Sequence, residues 1–331
     1  MERFALAAAV VLGFALTAAL CSLFVPLRRV LERREQQQQP VQSEQPRPAP
    51  LRAPLWGGLC AAAGTVAAVG VGWLAACVGQ PELLGSEGRL MTRLLTALAG
   101  SLAFGAVGLA EDLARMRSPA ALGLRRDVRL LLEALAAAFV LLLLRAAGCL
   151  PRGLGVPGAG YVLLGSAVPF LWAVLMVVLA ECARIAERDE GAVCGAAFVA
   201  MLALMMAEAG LGVPGLAVLP AALAGALVAL GLWAFPPARL GVGCCGSLLA
   251  AGAIGCIPLS LDMTSLTVPL ALPFWAAGGL LAAQLLCAKR TGKPLRCWVK
   301  KHKMSPETVF LYSFALSAVG YVLALALLRW C

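Results

Sequence analysis

The stretch FALAAAVVLGFALTAALCSLFVP, Phe4–Pro26, carries no charge and runs straight into Leu27-Arg28-Arg29. A helix crosses the hydrocarbon core of a bilayer with ~20 consecutive apolar residues, and this stretch is long enough. Only Arg3 precedes it among basic residues, and no small-x-small cleavage site closes it, so it reads as a retained helix rather than a cleaved leader. The same reading repeats along the chain. Further apolar cores lie near Trp56–Val78, Leu94–Ala110, Leu130–Ala147, Tyr161–Ala180, Ala192–Ala209, Val213–Phe235, Gly243–Leu259, Leu266–Ala288 and Val309–Leu328. The expected fold class is therefore an all-α polytopic membrane protein with about ten transmembrane helices, forming one domain over residues 1–331. Hydrophobic residues make up 61% of the chain and charged ones 13%. With a mean hydropathy of +0.89, it carries more apolar surface than a water-soluble domain can bury.

The loops set an orientation. Basic residues collect on the cytoplasmic side of membrane proteins. Of the 27 Lys and Arg, only Arg3, Arg89, Arg93, Arg145, Arg152 and Arg329 fall outside the loops that follow the first, third, fifth, seventh and ninth spans. Those loops are expected to be cytoplasmic and both termini outside. The formal charge of +10 is the sum of this bias; it gives no argument for nucleic acid and favours anionic lipid headgroups. Residues 36–54, rich in Gln and Pro, read as a flexible cytoplasmic linker. The 12 Cys show neither metal-ligand spacing nor a disulfide framework and read as small apolar packing residues.

Ionisable groups are sparse in the span interiors, with Glu133, Arg145, Glu208 and Asp262 read as near ends or in loops. Ion-coupled transporters place acids at mid-membrane, so this distribution counts against that class. Chemistry is expected at the cytoplasmic surface, in four patches. They are Gly108–Leu113 with Glu111-Asp112; Glu181–Gly191 with Arg184, Glu187 and Glu190; Pro236–Ser247 with Cys244-Cys245; and Lys300-Lys301-His302-Lys303. Carboxylates can hold Mg²⁺, and Lys, Arg or His can neutralise phosphate, so a shared cytoplasmic cleft would suit a phosphorylated substrate. Plainer readings stand beside this one. Glu181, Arg184, Glu187 and Glu190 recur every three residues and can pair along one helix face. Lys300–Lys303 can be positive-inside anchoring, and Glu111-Asp112 a solvated helix end.

The order and spacing of these patches resemble the bacterial phospho-N-acetylmuramoyl-pentapeptide transferase family, part of the polyprenyl-phosphate N-acetylhexosamine-1-phosphate transferases. Arg52-Ala53-Pro54-Leu55-Trp56-Gly57-Gly58-Leu59 is similar to the family's Gly-Thr-Pro-Thr-Met-Gly-Gly segment, and Gly108–Leu113 to its Gly-Phe-x-Asp-Asp motif. Leu124–Leu130 resembles Leu-Ser-x-x-x-Lys-Leu, with Arg129 at the lysine, and Pro237–Ser247 resembles Pro-Ala-Lys-x-Phe-Met-Gly-Asp-Thr-Gly-Ser. Gly292–His302 and Pro306–Val309 resemble the tri-histidine loop and final helix.

The resemblance implies transfer of a phosphosugar from a UDP-sugar to undecaprenyl phosphate, assisted by Mg²⁺, in peptidoglycan precursor synthesis at the bacterial inner membrane; it also allows a homodimer. It implies catalytic roles for Glu111, Asp112, Glu190 and His302, and substrate contacts for Glu187, Arg129, Lys300 and Lys301. It also implies substitutions. Cys244 takes the place of a magnesium-binding Asp, Gly241 that of an aromatic stacked on uracil, and Lys300 and Lys301 those of two histidines. A thiol is a poor ligand for a hard ion. The expectation is a degenerate member that binds polyprenyl phosphate or a partner without normal turnover. The alternatives are an active Mg²⁺-dependent transferase and an unrelated transporter or scaffold.

Overall fold

A computed structural model describes residues 2–38, 56–79, 88–117, 123–151, 153–156, 160–163, 165, 167–187, 191–213, 215–235, 239–291 and 306–330. Ten long helices occur among them: α1 Glu2–Gln38, α2 Gly57–Gly79, α3 Gly88–Arg117, α4 Arg126–Ala146, α5 Ala167–Ala186, α6 Ala192–Gly210, α7 Val218–Ala234, α8 Gly243–Ser260, α9 Leu272–Thr291 and α10 Pro306–Trp330. Seven of these (α1, α2, α3, α5, α6, α8 and α10) are long and apolar enough to cross a membrane by length and composition. α7 is apolar but shorter, at 17 residues. The molecule is a multi-pass helical membrane protein.

The outward faces carry large apolar side chains, among them Leu74, Val78, Leu131, Leu142, Phe170, Leu232, Leu311 and Val322, all exposed. In water such a surface would aggregate; against lipid it needs no cover. At the centre stands α8, every residue of which is buried. Its sequence, GCCGSLLAAGAIGCIPLS, is built of small residues that let neighbouring backbones come close. α3 packs along it most extensively, with α2, α5 and α6 on its other sides. The Trp172 indole of α5 donates to the Gly255 carbonyl of α8 at 3.1 Å, which satisfies its buried N–H. α1 lies against α2 and α7, and α10 against α6.

Several boundaries differ from the sequence expectation, each for a local reason. α1 continues through Pro26 to Gln38, so the first three residues of the expected linker are helical; the rest of it lies outside the described residues. The expected fifth span began at Tyr161, but Gly153–Val156 and Gly160–Leu163 form an antiparallel hairpin, β1 and β2, with Val156 opposite Gly160. Glycine at 153, 155 and 160 weakens a helix there. α5 starts at Ala167, with Pro169 in its first turn where no N–H is required. The expected ninth span is interrupted. A 3-10 turn at Thr264–Leu266 and a single helical turn at Thr267–Leu270 precede α9, because Pro273 has no N–H to give the Pro269 carbonyl. Most consequential, α3, α4 and α5 extend beyond their apolar windows and carry acidic and basic residues on helical turns.

Candidate active site

Four helix ends meet at the site: the C-terminal turns of α3 and α5, the N-terminal half of α4 and the N-terminus of α8. α3 supplies Glu111, Asp112 and Arg115. Asp112 is 1% exposed. Its Oδ1 accepts the Cys244 backbone N–H at 3.0 Å and its Oδ2 the Cys245 N–H at 2.9 Å. The first N–H groups of a helix lack intrahelical partners and carry a partial positive charge. Val242, at the N-cap of α8, provides no side-chain cap. Asp112 therefore caps α8 from a different helix.

Two glycines permit this approach. A Cβ on Gly108 would fall on the Cys244 carbonyl, so only glycine lets α3 come so close. Gly243 has φ +71°, a left-handed conformation that glycine adopts without strain; the chain turns there into α8 and presents the next two N–H groups to Asp112.

Arg115 lies one turn beyond Glu111 and donates to its Oε1 at 2.8 Å. The other guanidinium nitrogen, Nη1, donates to Glu187 Oε2 at 3.3 Å and lies 4.0 Å from Asp112 Oδ1. Glu187 follows directly on α5, and its Oε2 also accepts the Cys244 thiol at 3.2 Å. Ligand-type atoms of Asp112, Glu187 and Cys244 lie within 4.8 Å of one another, a group that could hold a metal ion.

A second set adjoins the first. Arg129 of α4 donates through Nε to Glu181 Oε1 at 2.7 Å, and lies 3.8 Å from Glu111 and 4.0 Å from Glu133. Arg184 donates to Glu181 Oε2 at 2.8 Å. Five carboxylates (Glu111, Asp112, Glu133, Glu181, Glu187) thus face three guanidiniums (Arg115, Arg129, Arg184). Among the described residues, Glu111 Oε2 and both Glu133 oxygens have no hydrogen-bond partner.

Of the residues singled out in the sequence, Glu111, Asp112, Glu187, Arg129 and Cys244 come together here. Glu190, Lys300, Lys301 and His302 lie outside the described residues. The expected three-residue ladder forms only in its first rung, Glu181–Arg184; Glu187 turns to Arg115 instead. Arg129 is 7% exposed and engaged by acids. Glu133, expected near a span end, is fully buried inside α4. Arg115 and Glu181 hold the network together, yet in the sequence Arg115 read as one basic loop residue and Glu181 as one rung of the ladder. The i,i+4 spacing of Glu111 and Arg115 was the available signal, visible only once α3 is known to continue past Ala110.

A buried acidic and guanidinium network at converging helix ends of a membrane bundle defines the class: a polytopic membrane protein with a polar site at one end of the bundle. The sequence profile of glycosyl transferase family 4 matches residues 94–262, from α3 through the turn after α8. The chain belongs to this family, that of the polyprenyl-phosphate hexosamine-1-phosphate transferases. No curated protein matches the chain significantly.

Family membership implies Mg²⁺, and the residues present suit it poorly. Mg²⁺ requires near-octahedral oxygen coordination. Here one of the three grouped donors is a thiol whose proton is engaged by Glu187, both Asp112 oxygens already accept helix N–H groups, and a guanidinium borders the same space.

Proposed function

We propose that this chain is a degenerate glycosyl-1-phosphate transferase homologue of cell-envelope lipid-intermediate synthesis, similar to the phospho-N-acetylmuramoyl-pentapeptide transferases. It binds polyprenyl phosphate, with undecaprenyl phosphate as the bacterial form, or an envelope-synthesis partner, without normal turnover. The observation that carries this reading is Cys244. It stands where the family places a magnesium-binding Asp, and its thiol donates to Glu187. In this reading all ten long helices cross the bacterial inner membrane, both termini lie outside, and the site faces the cytoplasm. Arg129 and Glu187 border the polar site, and Glu190, Lys300, Lys301 and His302 complete it from the adjoining loops. A homodimer is compatible with it.

One observation favours a second reading, active Mg²⁺-dependent transfer from a UDP-sugar: Asp112, Glu187 and position 244 still converge within metal-ligand range. The deciding assay uses the full chain in detergent with undecaprenyl phosphate and UDP-sugars, with and without Mg²⁺, and follows UMP. The expected result is no UMP release above background. Release that Asp112→Asn abolishes would establish the second reading and overturn the first.

A further inference from the structure

We propose that the Arg115 guanidinium is the resident cation of the Glu111–Asp112–Glu187 cluster, standing where a divalent ion would otherwise be needed, so that the folded site takes up no Mg²⁺. Three observations carry this. First, Arg115 reaches all three carboxylates at once: Glu111 Oε1 at 2.8 Å, Glu187 Oε2 at 3.3 Å and Asp112 Oδ1 at 4.0 Å. Second, Nη1 addresses Glu187 and Asp112, two of the three residues whose donor atoms a shared ion would need. An ion placed among those atoms would lie beside a fixed positive charge, and like charges in a poorly hydrated site repel strongly. Third, Cys244 brings no negative charge. Its S–H donates to Glu187, and metal ligation would require loss of that proton and of that hydrogen bond.

A planar guanidinium with several donors suits this duty, since it can serve two or more carboxylates in fixed directions without dehydrating a bare ion. Replacement of the carboxylate by a thiol at 244 then fits the pattern. With a +1 guanidinium in place of a +2 ion, one negative ligand fewer keeps the local charge closer to balance.

The inference shares the substituted donor set with the proposed function, so its test reads metal binding and not transfer. Full-length chain in detergent is titrated with Mn²⁺, as a paramagnetic stand-in for Mg²⁺, and the free-ion EPR signal is followed. The native chain is expected to leave the signal unattenuated, while Arg115→Ala combined with Cys244→Asp gains one bound Mn²⁺ per chain. Binding by the native chain that Asp112→Asn removes would overturn the proposal, and so would a folded double variant that binds none. If the double variant does not fold, Arg115→Gln carries the test: thermal stabilisation by Mn²⁺ in that variant and not in the native chain supports the proposal, and its absence overturns it. UMP release from the same preparations reports on the functional reading separately.

Discussion

Asp112 sits at the junction of structure and chemistry. Its two oxygens satisfy two N–H groups of α8 that nothing else in that helix can reach. Asp112→Asn keeps one acceptor and turns an NH₂ group toward the second N–H. The expected loss is about 1.5–3 kcal/mol, the range for hydrogen bonds to a charged group, read as a lower thermal midpoint in detergent. At Gly108, replacement by Ala puts a methyl on the Cys244 carbonyl and must push α3 from α8. Overpacking of this kind costs ~1–3 kcal/mol; Gly108→Ala is expected to unfold at a lower temperature than native, and an unchanged midpoint would contradict the close approach. Of these residues the acids were legible in the sequence because carboxylates at the end of an apolar window stand out. The cap was not, because Asp112 and the N–H groups it holds are more than a hundred residues apart and joined only by folding.

Between elements, Arg129 and Glu181 tie α4 to α5 through a 2.7 Å contact. Removing either partner leaves the other short of a counter-charge in a mostly buried setting. A double-mutant cycle with Arg129→Ala and Glu181→Ala is expected to return a coupling of ~0.5–3 kcal/mol, as for residues sharing one ion-pair network. Strict additivity would show that the pair contributes nothing. The helices themselves were readable as apolar runs, but their ends were not. Apolar content measures what lipid tolerates, whereas α3 stays helical for seven residues past Ala110, to Arg117. Those added turns bring Arg115 onto the face of Glu111. Conversely, Pro273 divides a segment that hydropathy alone runs together, and glycines at 153, 155 and 160 turn part of an apparent span into a hairpin.

At the scale of the whole molecule, the interior is apolar as in a water-soluble protein, but the exterior is apolar too, and the buried charges gather at one end of the bundle. Leu142 and Phe170 face outward. Arginine at either is expected to cost up to ~2.5–3.5 kcal/mol of insertion if the position lies at mid-membrane, seen as a rise in the carbonate-extractable fraction; unchanged extraction would place that position away from the hydrocarbon. The class of fold followed from composition and loop charge, and the meeting of three patches from their serial order. What could not be read was how the charges would divide among themselves, since one guanidinium can choose among several carboxylates only in three dimensions. α8, meanwhile, is enclosed on every side by other helices. A thicker or thinner bilayer can tilt the outer helices, yet it has no direct purchase on this inner strut. The spacing between Asp112 and the thiol beside it is thereby insulated from the lipid composition in which the protein finds itself.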